Sequence, residues 1–196
     1  VATLLATALG TVAALGLSRP HMPFKAVLMA ILISPMIVPL IITAAGMFFF
    51  YSKIGLTHSY LGLILAHTAL GTPFVVITVT ATLTGFDTNL IRASQSLGAD
   101  TMRTFFKIIM PLILPGVISG GLFAFITSFD EVVVVMFIGS VEQITIPKQM
   151  WAGLRQETSP VILCMATCLV ALSIALLTTV EMLRRRSERL RGIKQR

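Results

Sequence analysis

Charged residues are scarce in this chain. Only 12% of its 196 residues are Asp, Glu, Lys or Arg, against 56% hydrophobic, and the mean hydropathy is +0.93. So little charge cannot cover a soluble globular surface, so the class is membrane protein. Two enzymatic signatures are missing as well. There is no G-x-x-x-x-G-K-[ST] run to cradle nucleotide phosphates and no H-E-x-x-H pair of metal ligands. Cysteine is limited to Cys164 and Cys168, four residues apart with no histidine nearby. Two such thiols read as small apolar residues rather than as a bridge or a metal site. Nor is there a basic n-region ahead of the first apolar run, which excludes a signal peptide as its explanation.

What is present is apolar length. Five runs approach or exceed the ~20 residues of a spanning helix, at about 1–17, 26–51, 61–83, 112–138 and 160–183. They predict an all-α, polytopic transmembrane helix bundle, read as a single domain over 1–196. An odd number of spans places the chain's two ends on opposite sides of the bilayer. Starting at Val1 without methionine or a polar flank, the chain reads as lacking at least one earlier span.

The basic residues set the orientation. Net charge is +7. Arg19, Lys25, Arg92, Arg103, Lys107 and seven residues of the tail 184–196 fall on one side, leaving Lys53, Lys148 and Arg155 on the other. By the positive-inside rule the richer side is cytoplasmic. Topology thus accounts for the charge, with no need for a nucleic-acid partner. The lipid bilayer is the expected surrounding, and the basic tail suits anionic headgroups. Glu181 is expected to pair with Arg184 and Arg185 one turn on.

Within the runs, several features stand out. Ala2, Ala6, Gly10 and Ala14 repeat every four residues, a stripe that lets another helix approach closely. Pro35 and Pro39 predict a bent second span, and bent spans either line cavities or are simply tolerated. His67 suits a hydrogen bond to a neighbouring helix or, alternatively, a proton relay. Asp130 and Glu131 lie inside the run 112–138, where each charge costs roughly 2.5–3.5 kcal/mol on insertion scales. Such carboxylates face a protein interior or a watery path. On a continuous helix adjacent side chains diverge by about 100°, so one is expected in the path and the other in a structural bond. Asp130 is the residue favoured for the path, where its charge attracts a cation.

The stretch 85–115 is the most polar loop. Asp87 and Thr88 are candidate caps for a short helix from Asn89 to Leu97, with Gly98 ending it. Asp100 or Thr101 starts a second helix whose Met102, Phe105, Phe106 and Ile109 share a face. Pro111 and Pro115 are expected to redirect the chain into the fourth span. Two short Gly-joined helices with exposed aromatics suit docking into a partner's groove, or lying on lipid. In the outer loop 139–159, Trp151, Arg155 and Glu157 are candidates for an outer gate or a binding-protein contact. Trp151 equally suits an interfacial anchor.

The sequence RASQSLGADTMRTFFKIIMPLILPG resembles the EAA loop of permease subunits in binding-protein-dependent ABC importers. Ala93, Gly98, Ala99, Phe105, Phe106, Pro111 and Pro115 match, while Arg92 stands where Glu is usual and Ser94 where the second Ala is. SFDEVVVVMFIG and ITIPKQMWAGLRQETSP look like the spermidine/putrescine permease C-like subfamily, whose relatives also carry opines or other amino-acid-derived solutes. The resemblance implies about six spans in an inner (cytoplasmic) membrane permease of the type I importer fold, and a second, homologous permease subunit. It implies two ATPase subunits beneath, which receive the loop and hold ATP and Mg, and an extracytoplasmic solute-binding protein above. The chain itself would need no cofactor and catalyse no reaction. A secondary transporter, which needs coupling-ion residues and often repeats, is the nearest rival. An intramembrane enzyme using His67 with Ser119 or Ser128 is another, on spacing that does not establish proximity.

Overall fold

The computed structural model describes residues 1–19, 22–87, 89–156 and 160–190, with the backbone alone at 155, 156, 180 and 183–190. The described residues form helices and no strand. Helix α1 (Ala2–Leu17) is followed by α2 (Lys25–Ile37), α3 (Leu40–Ile54) and α4 (Tyr60–Thr84). Short α5 (Asn89–Ser96) and α6 (Thr101–Thr104) come next. A single π turn, Phe105–Ile109, then joins α6 to α7 (Met110–Phe129). Then follow α8 (Val133–Ile138), α9 (Ile146–Gln156) and α10 (Pro160–Leu190).

All five apolar runs are helical, but two are broken. Residues 26–51 divide at Val38 and Pro39, whose extended ψ of 136° and 130° turns α3 by 106° from α2. The run 112–138 divides at Asp130–Val132, so its carboxylates lie at a break and not within a continuous helix. Among the described residues, three helices are able by length and composition to cross a membrane: α4, the rod Thr101–Phe129, and Pro160–Thr179 of α10. The bent α2–α3 pair raises this to four, and α1 is a shorter apolar helix of 16 residues.

Pro111 and Pro115 do not redirect the chain. The helix runs through them from Thr101 to Phe129. A proline ring clashes with the carbonyl four residues back. The π turn opens the helix just ahead of Pro111, with the Met110 N–H donating to the Phe105 carbonyl. One wide turn relaxes the backbone where the ring needs room.

α4 is the centre of the bundle, with α1 and α7 packed against it. The α1 stripe faces inward: Ala6 and Ala14 are fully buried, and Ala2 and Gly10 are buried beside them. α7 carries a second stripe, Gly116, Gly120, Ala124 and Ser128. It meets α4 in antiparallel register. A Cβ on Gly71 would lie 2.9 Å from that of Ala124 and 3.3 Å from that of Ala6. Those three residues therefore mark where three backbones come closest. Around them Val75, Val79 and Ile113 complete one core. A second core joins Ala44 and Tyr51 of α3, Ala66 and Leu70 of α4, and Val134 and Ile138 of α8. The break at Asp130–Val132 thus separates helix packed in the first core from helix packed in the second.

Candidate solute path and coupling surface

The break at the end of α7 is built by its own side chains. Asp130 caps the helix with φ −93° and ψ 0°, its N–H donating to the Ile126 carbonyl. Its carboxylate is exposed. Glu131, one residue on, is buried, and its Oε1 accepts from the Val134 N–H at 2.7 Å. That carboxylate replaces a helix carbonyl that the first turn of α8 would otherwise lack. The two neighbours therefore divide their roles, one open and one folded back into its own backbone.

Asp130 and Trp151 line one cavity of about 390 Å³. Its other walls include Phe129, Met150 and Leu154, and Ile174 and Leu177 of α10. A carboxylate and an indole in a mostly apolar cleft can hold a cation by charge and by the ring's negative face. Residues singled out separately in the sequence, Asp130 for a path and Trp151 for an outer contact, are thus brought together. Arg155 lies on α9, described by backbone alone, and Glu157 falls outside the described residues. The same holds for the expected Glu181 pairing, because the side chains of Arg184 and Arg185 are not described.

The approach to this cleft is braced. Gln143 is buried; its Oε1 accepts from the Ser140 N–H at 3.0 Å and its Nε2 donates to the His58 carbonyl at 3.4 Å. Lys148 Nζ donates to the carbonyls of Ser140 at 3.0 Å and Gln143 at 3.3 Å. The His58 N–H donates to the Ile138 carbonyl at 2.8 Å, with His58 at φ +59°. These bonds tie the turn before α4 to the segment that presents α9. A second cavity, about 630 Å³, lies alongside and is walled by His67, Ser128, Phe129, Glu142 and Gln143 among others. Phe129 and Pro147 are common to both.

His67 is buried on α4, and its Nδ1 lies 2.9 Å from Ser128 Oγ on α7. Sequence spacing leaves this pair open, since 61 residues separate the two. One clue was legible: Ser128 continues the four-residue repeat of small side chains on α7, and such a repeat predicts a helix contact.

At the far end of α4 and α7, the loop helices are locally capped. Asp87 Oδ1 accepts from the Asn89 N–H at 2.9 Å, and Asp100 Oδ1 from the Arg103 N–H at 2.7 Å. Between the helices Gly98 sits at φ +79°, a left-handed conformation that glycine adopts at little cost. Ser94 and Thr104 are buried, with their hydroxyls 2.9 Å apart, joining α5 to α6. The face expected from 102, 105, 106 and 109 is divided. Met102 and Phe106 are 67% and 60% exposed, whereas Ile109 packs against the first core and Phe105 is half-buried. The π turn, by widening the helix, rotates these side chains off the 3.6-residue pattern. Ala93 and Gly98 are exposed and Ala99 is half-buried. Leu97, 88% exposed, joins Met102 and Phe106 in an open apolar surface.

A family model described as the inner membrane component of binding-protein-dependent transport systems matches residues 6–189. The chain is similar to the spermidine/putrescine transport system permease protein PotC of Haemophilus influenzae, 31% identical over 186 residues. That match covers 95% of this chain and 72% of the relative. The PotC of Escherichia coli K12 is 29% identical over 180 residues, covering 92% and 68%. A probable molybdenum ABC transporter permease protein of Haloferax volcanii is 25% identical over 191 residues, covering 93% and 71%. Among solved structures, an inward-facing MetNI methionine ABC transporter superposes with a TM-score of 0.77 at 19% identity, over 95% of this chain and 89% of the other. At that identity the likeness concerns the fold.

Proposed function

This chain belongs to the family of inner membrane components of binding-protein-dependent transport systems, and on that premise we propose that it lines the path of a small amine-bearing cation of the polyamine class. As a family member it is a multi-pass permease subunit of an ABC importer, a transport component of the inner membrane. The observation that supports the choice of solute is the cleft shared by Asp130 and Trp151. An exposed carboxylate beside an aromatic ring suits an ammonium group and repels an oxyanion. The relatives named for spermidine and putrescine agree with this chemistry. Glu131 shapes the path indirectly, by fixing the start of α8.

In the assembly we infer, a second, homologous permease completes the path. Two ATPase subunits bind ATP and Mg and supply the hydrolysis. One of them receives the surface of Leu97, Met102 and Phe106, held by the Gly98 turn and by Ala93 and Ala99, with Phe105 and Ile109 as its inner supports. An extracytoplasmic binding protein delivers the solute near α9, where Trp151, Arg155 and Glu157 fall. Asp130→Asn tests the reading, because it keeps size and removes charge. In reconstituted complex, uptake of radiolabelled spermidine should fall about tenfold while assembly and basal ATP hydrolysis persist. Unchanged spermidine uptake, or an equal loss of uptake of a solute without net positive charge, overturns the cationic assignment.

A further inference from the structure

The hairpin formed by α4, α5, α6 and α7 is tied across at both ends. At the loop end Ser94 and Thr104 join α5 to α6. At the other end His67 and Ser128 join α4 to α7. Between the ties the backbones are in close contact. A Cβ on Gly120 would lie 2.7 Å from the Cα of Val75, and one on Gly116 would lie 3.0 Å from the Thr78 carbonyl oxygen. Helices packed this tightly move as a body and not by bending. α4 is 25 residues long, so the body spans about 37 Å. Ser128 stands two residues before Asp130, where α7 ends and the chain passes to α8 in the second core.

We infer that His67 is a positioning residue for transport. Through Ser128 it holds the end of α7 to α4, so a displacement of the α5–α6 loop arrives undiminished at the Asp130 break. Without the tie, the last turn of α7 is free to stay with α8 while the rest of the hairpin moves. The imidazole does this as a buried cross-link of fixed length, with Nδ1 engaged and α4 clamped by α1 behind it. Neither His67 nor Ser128 needs to touch the solute. The inference rests on the proposed docking of an ATPase at the loop, and not on the identity of the solute.

The test is a distance that does not depend on solute. In a Cys164→Ser, Cys168→Ser background, spin labels are placed at Thr127→Cys, half-buried on the last turn of α7, and at Met136→Cys, exposed on α8, one on each side of the break. Distances are measured in the assembled importer, without nucleotide and after ATP–vanadate trapping. Trapping should shift the label pair in this background and with His67→Asn, whose amide can still reach the Ser128 hydroxyl. With His67→Leu or Ser128→Ala the shift should shrink or vanish. In the same variants basal ATP hydrolysis should persist, while spermidine uptake per ATP falls about tenfold. A full shift in both His67→Leu and Ser128→Ala overturns the inference, as does the absence of any shift in the unmodified hairpin. Should His67→Leu fail to assemble, the milder Ser128→Ala decides alone. If Asp130→Asn leaves uptake intact while these distances behave as expected, the solute assignment fails and the positioning role stands.

Discussion

The runs 26–51 and 61–83 both carry proline, and they fold in opposite ways. In the first, Pro35 stays within α2 and the chain breaks at Val38 and Pro39. In the second, Pro73 lies inside α4, fully buried, and the helix continues for 25 residues. The chemistry of the ring is the same in both: a lost donor and a clash one turn back, about 3 kcal/mol in a helix interior. The difference lies in the surroundings. α4 is gripped by α1 and α7, so bending it would open a core built on Gly71, Ala124 and Ala6. α2 has no buried residue, and Pro39 itself is exposed. Nothing there opposes the turn. Packing, and not proline, decides which apolar run stays straight.

This contrast can be broken most forcefully at the packed helix. Gly71→Val adds branched carbons where even a Cβ has only 2.9 Å to Ala124. Overpacking of this kind costs about 1–3 kcal/mol. Thermal unfolding in detergent should show a clear loss, and a melting temperature equal to the unmodified protein's would mean that the α4–α7 contact is looser than described.

A second change acts on the unpacked run. Pro39→Ala restores the donor and frees Val38 to become helical. Spin labels at Ile31 and Phe49, both exposed, should then separate toward the ~27 Å of eighteen residues in one straight helix. An unchanged distance would assign the 106° bend to the packing of α3 on α8 and not to the proline. Pro73→Ala is the matched control: its effect on melting should be small, about 1 kcal/mol or less, because packing already holds α4 straight.

The smallest effect concerns the break without a proline. Glu131→Ala removes the acceptor for the Val134 N–H and should cost about 1 kcal/mol, as helix caps do. Glu131→Gln keeps a carbonyl oxygen in place and should cost less. Limited proteolysis of the segment between α7 and α8 reads both. Equal protection of all three proteins would show that the second core alone fixes α8.

Much of this was legible in order along the chain. Five apolar runs became helices, the caps at Asp87 and Asp100 formed, and the Ala2–Ala14 stripe faced inward. Caps and stripes depend on neighbours within one turn, so local spacing reveals them. The two breaks were only half legible. Pro39 announced a bend without its size, and Asp130–Glu131 announced polarity without interrupting the hydrophobic count. The face 102–109 was misjudged for a related reason, since a 3.6-residue period fails where a π turn intervenes.

By itself the sequence determined that this is a membrane protein of helices, and where its short loop helices begin. Those properties follow from transfer free energies and hydrogen bonds among residues close in the chain. Only the tertiary structure decided that His67 meets Ser128, that Asp130 shares a cleft with Trp151, and that Glu131 turns back to cap α8. Each depends on residues far apart in the chain, or on a choice between neighbours of like charge. A linear pattern records what a side chain prefers, but the packing of α4 between α1 and α7 selects which partner it finds.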